Sequence, residues 1–161
     1  MPSAVDDSPD GGPVVIGWRE FIGLPEWGIP RIKAKADTGA RTSALHVANL
    51  EELGGGRVRF DVVVHEAPRL ELVTVEAVIR RIATVKPTPN KVERRPVVET
   101  TMSLGGRRRR IELALVCRRG MLCRMLLGRT ALDGAFFVDP GSKYRITGRA
   151  ARQRGVKELG S

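Results

Sequence analysis

From Val14 onward the apolar residues arrive in short runs, not at helical spacing. The run "VVIGW" (14–18) leads into a Pro- and Gly-containing turn across 25–30, after which Ile32, Ala34 and Ala36 alternate with Lys33 and Lys35. Alternation with a period of two predicts a half-buried strand, and this one delivers Asp37 at its end. The Val- and Ile-rich stretches 57–67 and 70–85 are separated by Pro68 and read as consecutive strands about a turn. The breaker "KPTPN" (86–90) then predicts the tip of a long hairpin, and the extended stretches on either side of Gly105-Gly106 read as another. Only Thr130 to Leu132 invites a short helix, so the pattern predicts an all-β chain with one helical turn near its C-terminal end.

Length adds that one domain suffices, since 161 residues lie within the range of a single core. Its expected span is 14–147, between a Pro/Gly/Asp-rich N-terminal tail (1–13) and a basic, mobile C-terminal tail (148–161). No apolar run reaches about 18 residues, and the opening "MPSAVDDSPDGGP" lacks the basic-then-apolar order of a leader. The expectation is therefore a cytoplasmic protein without a membrane partner, in which Cys117 and Cys123 stay as free thiols.

The formal charge of +10 changes the picture of partners. Arginines gather in "GGRRRR" (105–110), in "CRRGMLCR" (117–124) and in the tail, a field that attracts acidic proteins and polyanions. Aromatics make up only 4% of the chain, and no helix-turn-helix or zinc-knuckle pattern occurs, which argues against sequence-specific nucleic-acid reading. The four consecutive arginines are expected on a solvated strand start instead of in a groove.

Candidate chemistry begins with "DTGA", Asp37-Thr38-Gly39-Ala40. Standing alone, Asp-Thr-Gly at a strand end reads most simply as a turn closed by a local aspartate hydrogen bond. The segment "RMLLGRTAL" (124–132), about 90 residues later, alters that balance: apolar Met125, Leu126 and Leu127 run into Gly128-Arg129 and a helix-capable stretch. Together the two motifs resemble the paired signature of retropepsins, the retroviral-type aspartic proteases. "GWREFIGLPEWGIPRIKAKADTGARTSALHV", "RPVVETTMSLGG", "RMLLGR" and "FFVDPG" extend the likeness to a bacterial and archaeal family described both as ATP-dependent zinc proteases and as retropepsin-like aspartic endopeptidases.

The resemblance implies a retropepsin-like closed β-barrel, half of an acid protease, with Asp37 catalytic and Gly128-Arg129 on a strand crossing behind it. It implies supporting roles for Thr38, whose hydroxyl would bond across a dimer, for Gly39, which lets groups approach the carboxylates, and for Ala40 on the cleft floor. It makes Lys86, Pro87, Thr88, Pro89 and Asn90 a candidate flap. Two carboxylates a few ångströms apart share one proton, so one can activate water while the other protonates the peptide oxygen. A chain with one DTG must take its second aspartate from another copy, and a symmetric homodimer follows. Viral retropepsins carry an acid four residues after the aspartate to pair the arginine of Gly-Arg; here that place is Arg41, so Arg129 is expected to seek Asp133 or Asp139, or to bind substrate.

Two rival readings stand beside the peptidase. Zinc would have to be assembled from His46, His65, Asp37 and Cys117 or Cys123, with no H-E-x-x-H and no closely spaced cysteine pair; no metal site and no cofactor is expected, and His46 reads as a hydrogen-bonded structural residue. No phosphate-binding Gly-Lys-Ser/Thr loop is present for ATP hydrolysis. The other rival is a non-catalytic basic adaptor or regulator of a glutamate ligase or of a glutamylated ribosomal protein. Members of the resembled family are encoded beside ATP-grasp glutamate ligases, and an arginine-rich surface suits a glutamylated or otherwise acidic peptide or protein.

Overall fold

The computed structural model describes residues 12–65, 69–117 and 124–148. Of the expected tails 1–13 and 148–161, residues 1–11 and 149–161 fall outside these residues, as does the turn at Pro68.

Ten strands follow in chain order: β1 (Val14–Leu24), β2 (Ile29–Ala36), β3 (Ser43–Gly54), β4 (Arg57–His65), β5 (Glu71–Val78), β6 (Arg81–Thr88), β7 (Lys91–Leu104), β8 (Arg107–Val116), β9 (Met125–Leu127) and β10 (Phe136–Lys143). One turn of 3-10 helix, Pro25–Trp27, joins β1 to β2, and a short α-helix, α1 (Arg129–Leu132), follows β9. Pairing runs β1-β2-β9-β3-β8-β7 and returns to β1 through Gly23 opposite Ser103, so the strands close a ring. β10 lies parallel to β1 on one flank, β6 extends β7 on another, and the β4–β5 hairpin hangs from β3. The mainly-β, retropepsin-like architecture expected from the sequence is present. Among the described residues no helix is long and apolar enough to cross a membrane.

The alternation of β2 does what its sequence predicts: Ile32 and Ala34 are buried, while Arg31 and Lys35 face solvent. Ile16, Ile22, Leu45, Phe60, Val98, Leu113 and Met125 join them in one core. Burying each such side chain contributes about 1.5–3 kcal/mol, which gives the ring a hydrophobic reason to close. Trp27 packs edge-on to Phe60 at 5.5 Å between centroids, anchoring the turn that precedes β2. A buried carboxylate also shapes the fold. Glu20 accepts from the Gly17, Ile146 and Thr147 backbone N–H groups and from the Thr147 hydroxyl, tying the C-terminal segment to β1.

Two expectations need correction. The stretch 70–85 is not one strand: β5 pairs β4, β6 pairs β7, and the chain switches sheets at Ile79 and Arg80, whose N–H groups donate to Gly56 O and Val97 O. No Gly or Pro marks that switch, because the backbone stays extended while its partner changes. Nor do the four arginines lie on a solvated strand start. Arg107 is 3% exposed and donates to Ala135 O (3.0 Å) and Gly12 O; Arg109 donates to Ala131 O (3.0 Å) and Asp133 O (2.6 Å) at the end of α1. Arg110 pairs with Glu99 and Glu26, leaving Arg108 the exposed member. Unpaired carbonyls at a helix end and in tight turns need donors, and guanidinium groups on alternate positions of β8 supply them.

Candidate active site

The site is assembled by β9, which lies between β2 and β3. It runs parallel to β2, with Ala36 opposite Leu127, and antiparallel to β3, with Ala44 opposite Leu126. Strands β2 and β3 are consecutive in sequence yet do not pair here, and the loop joining them is the DTG turn. The Asp37 N–H donates to Leu127 O at 2.8 Å, which carries the β2–β9 ladder up to the aspartate.

Beyond it the chain turns back, with Ala40 N–H donating to Asp37 O (3.2 Å). The Gly39 N–H points at the Asp37 side chain, 3.1 Å from Oδ1, and a β-carbon on residue 39 would sit 3.2 Å from the same oxygen. The bland turn reading is therefore correct as far as it goes: the aspartate does close its own turn. Its side chain is half-buried, with Thr38 and Gly39 exposed beside it.

The second motif locks this turn from behind. Arg129 N–H donates to Ala40 O (2.8 Å), Thr130 N–H and its hydroxyl to Arg41 O (3.1 and 3.0 Å), and Gly128 N–H to the Ser43 hydroxyl (3.0 Å). A β-carbon at Gly128 would fall 2.7 Å from Thr42 C and 2.9 Å from Arg41 C, both backbone, so the two motifs touch where only glycine fits. The guanidinium of Arg129 donates to Thr38 O at 2.9 Å. This replaces the expected pairing with Asp133 or Asp139. Asp139 instead accepts from the Ser142 hydroxyl and the Gly141 N–H and pairs with Arg145, and these contacts hold its carboxyl below the ordinary value.

Sequence reasoning missed Ser43 and Thr42. Thr42 receives a hydrogen bond from Arg81 at 3.2 Å, and Arg81 pairs with Glu112 at 2.8 Å, so the foot of the β6–β7 hairpin is tied to the aspartate turn. Hydroxyls this close to a DTG motif are the signal that could have found them. Thr88 opposite Lys91 closes the hairpin around Pro89 and Asn90, and residues 86–90 are exposed at its tip, far along the strands from Arg81.

Two clefts flank the turn. One, of about 620 Å³, collects Arg41, Arg81, Arg109 and Arg110 against Glu99 and Glu112. The other, of about 560 Å³, runs from Thr38, Arg41 and Arg129 to Asp133, Phe136 and Phe137. His46 is buried in β3, its N–H donating to Arg124 O, whereas His65 is exposed at the end of β4. Among the described residues no three of His, Cys, Asp and Glu gather as a metal cluster; Cys117 is exposed, and Cys123 lies outside those residues.

Comparison with known proteins places this geometry. Residues 15–149 match the family model described as retropepsin-like aspartic endopeptidase RimB. A protein named probable alpha-L-glutamate ligase from Shewanella halifaxensis is 33% identical over 133 residues, covering 81% of this chain and 29% of that protein. One of the same name from Parasynechococcus marenigrum is 34% identical over 136 residues, covering 83% and 29%. The chain thus spans about three-tenths of the length of these curated relatives. The crystal structure of a Legionella pneumophila protein of unknown function is 29% identical, with a TM-score of 0.66 over 82% of this chain and 97% of that one. With its DTG turn locked by Gly128-Arg129 and the family model matching nearly its whole length, the chain belongs to the RimB-like family of retropepsin-like aspartic endopeptidases.

Proposed function

We propose that the chain is one half of an aspartic endopeptidase, in which Asp37 from each of two copies forms a carboxylate pair that activates water to hydrolyse a peptide bond. The observation that carries this reading is the Asp37 turn, fixed by β9, Gly128 and Arg129 and opening beside two clefts. At close range the two carboxylates hold one proton between them: the ionised member takes a proton from water, and the protonated member donates to the carbonyl oxygen. Gly39 N–H, bonded to Oδ1, fixes the orientation of the carboxyl group. No covalent intermediate is needed. The β6–β7 hairpin is the lid, with its tip at 86–90 closing over substrate and its foot coupled to the turn through Arg81 and Thr42.

The arginine-lined cleft favours an acidic peptide. Arg81 and Arg110 are already paired, but Arg109 meets only backbone oxygens and brings charge that no carboxylate among the described residues neutralises. A glutamylated protein carries the complementary chemistry.

The test is cleavage of a peptide set that includes glutamate-rich members. Wild type cleaves and resists chelators, while Asp37→Asn keeps its fold and loses about 10²–10⁴-fold in rate, the range for removing a general acid or base. Cleavage that survives Asp37→Asn and dies with a chelator would replace this reading with a zinc hydrolase. A second reading, an adaptor that docks a glutamate ligase, is favoured by the relatives in which a similar stretch forms 29% of a protein with that name. Tight binding of glutamylated peptide without any cleavage would select it.

A further inference from the structure

The cleft running from Thr38 to Phe137 carries a pattern that the monomer does not satisfy. Phe137, on the outer strand β10, is 63% exposed, and its register partner on β1, Val15, is 38% exposed. Among the described residues β10 pairs with β1 alone, so its other edge offers backbone groups without a strand partner among them, beside an exposed phenyl ring. Soluble proteins cover or charge such an edge, because it otherwise invites pairing with another chain.

Charge adds a second observation. Arg41 and Asp133 line the same cleft, yet no ion pair joins them, and neither side chain has a carboxylate or cationic partner among the described residues. Asp133 contributes its backbone oxygen to Arg109, and Arg41 its backbone oxygen to Thr130. One surface thus holds an unspent cation, an unspent carboxylate and an apolar centre. A two-fold interface brings residue i of one copy to residue j of the other and j to i, so a patch with one of each charge is complementary to itself.

We propose that this face is where a second copy of the chain docks, with Phe137 and Val15 at its centre and Asp133 of each copy supplying the acid to Arg41 of the other. The inference rests on the homodimeric reading above and names the surface that makes it. Its location follows from the same cleft: Thr38, the residue after Asp37, forms one wall, so a copy seated there lies beside the aspartate turn. Arg129 stays with Thr38 O and holds the turn, and the position that carries an acid within the viral chain takes its acid here from across the interface. This exchange makes the aspartate turn dependent on assembly.

Sedimentation of the full chain tests it, with thermal melts of each variant to show that it folds. Wild type sediments as a dimer. Asp133→Arg and Arg41→Asp each weaken the dimer by about tenfold or more, as loss of a close interfacial charge pair does, and the double variant recovers most of the loss. Phe137→Glu also weakens it. A wild-type dimer that none of these changes disturbs overturns this surface and leaves the homodimer standing. Wild type that remains monomeric during turnover overturns both. If Phe137→Glu leaves the dimer intact and raises KM for peptide instead, the cleft belongs to substrate and the inference fails.

Discussion

Gly128 is the residue at which the two sequence motifs become one object. Its missing side chain lets β9 meet the backbone of Arg41 and Thr42, and its N–H reaches the Ser43 hydroxyl. Gly128→Ala must push backbone aside, an overpacking cost of about 1–3 kcal/mol, and should displace Asp37 as well. Denaturant unfolding should show that loss together with reduced cleavage; an unchanged midpoint would mean that the contact is not tight. The importance of this residue was legible from the pairing of DTGA with LLGR, but its cause was not, because a contact across about 90 residues leaves no trace in local periodicity. Arg129 taught the converse. Its sequence position called for an acid, and the folded chain satisfies it with the Thr38 carbonyl, since a guanidinium accepts any well-placed oxygen as partner.

The β6–β7 hairpin shows how far element-level reading reaches. Its existence followed from "KPTPN" between extended stretches, and its tip is where the breaker residues put it. The division of 70–85 into β5 and β6 was hidden, because a strand that changes partners keeps the same alternation. The arginine run departs from expectation for a related reason: charge by itself does not say whether a guanidinium meets water or a helix-end carbonyl. As the proposed lid, the hairpin should matter to catalysis and little to stability, since its tip side chains are exposed. Replacing 87–90 with a two-residue turn should lower kcat/KM on the order of 10²-fold, the loss expected when substrate is misplaced, with little change in Tm. Full activity after that change would remove the hairpin from the mechanism.

For the whole molecule, acid sets the boundary within which any carboxylate chemistry operates. Glu26 is held below its ordinary 4.5, chiefly by the Thr101 hydroxyl and then by Arg110. Asp61, by the Thr74 hydroxyl and Asn49, and Asp139, by the Ser142 hydroxyl and Gly141 N–H, are held below 3.8. A carboxyl whose folded value is depressed stabilises the fold above its unfolded value, and that stability is lost as pH falls through the folded one. Tm should therefore be level above those ordinary values and decline below them; a Tm that rises on acidification there contradicts the assignment. The central claim, that Asp37 is half of a shared site, is tested most directly by mixing subunits. Wild-type chain is held constant and Asp37→Asn chain is added under exchange conditions while peptide cleavage is followed. Random pairing in a two-fold dimer predicts that activity falls to about half at equal amounts and towards zero in large excess, as wild-type subunits are drawn into mixed dimers. Activity that stays constant however much Asp37→Asn chain is added would show that each chain works alone.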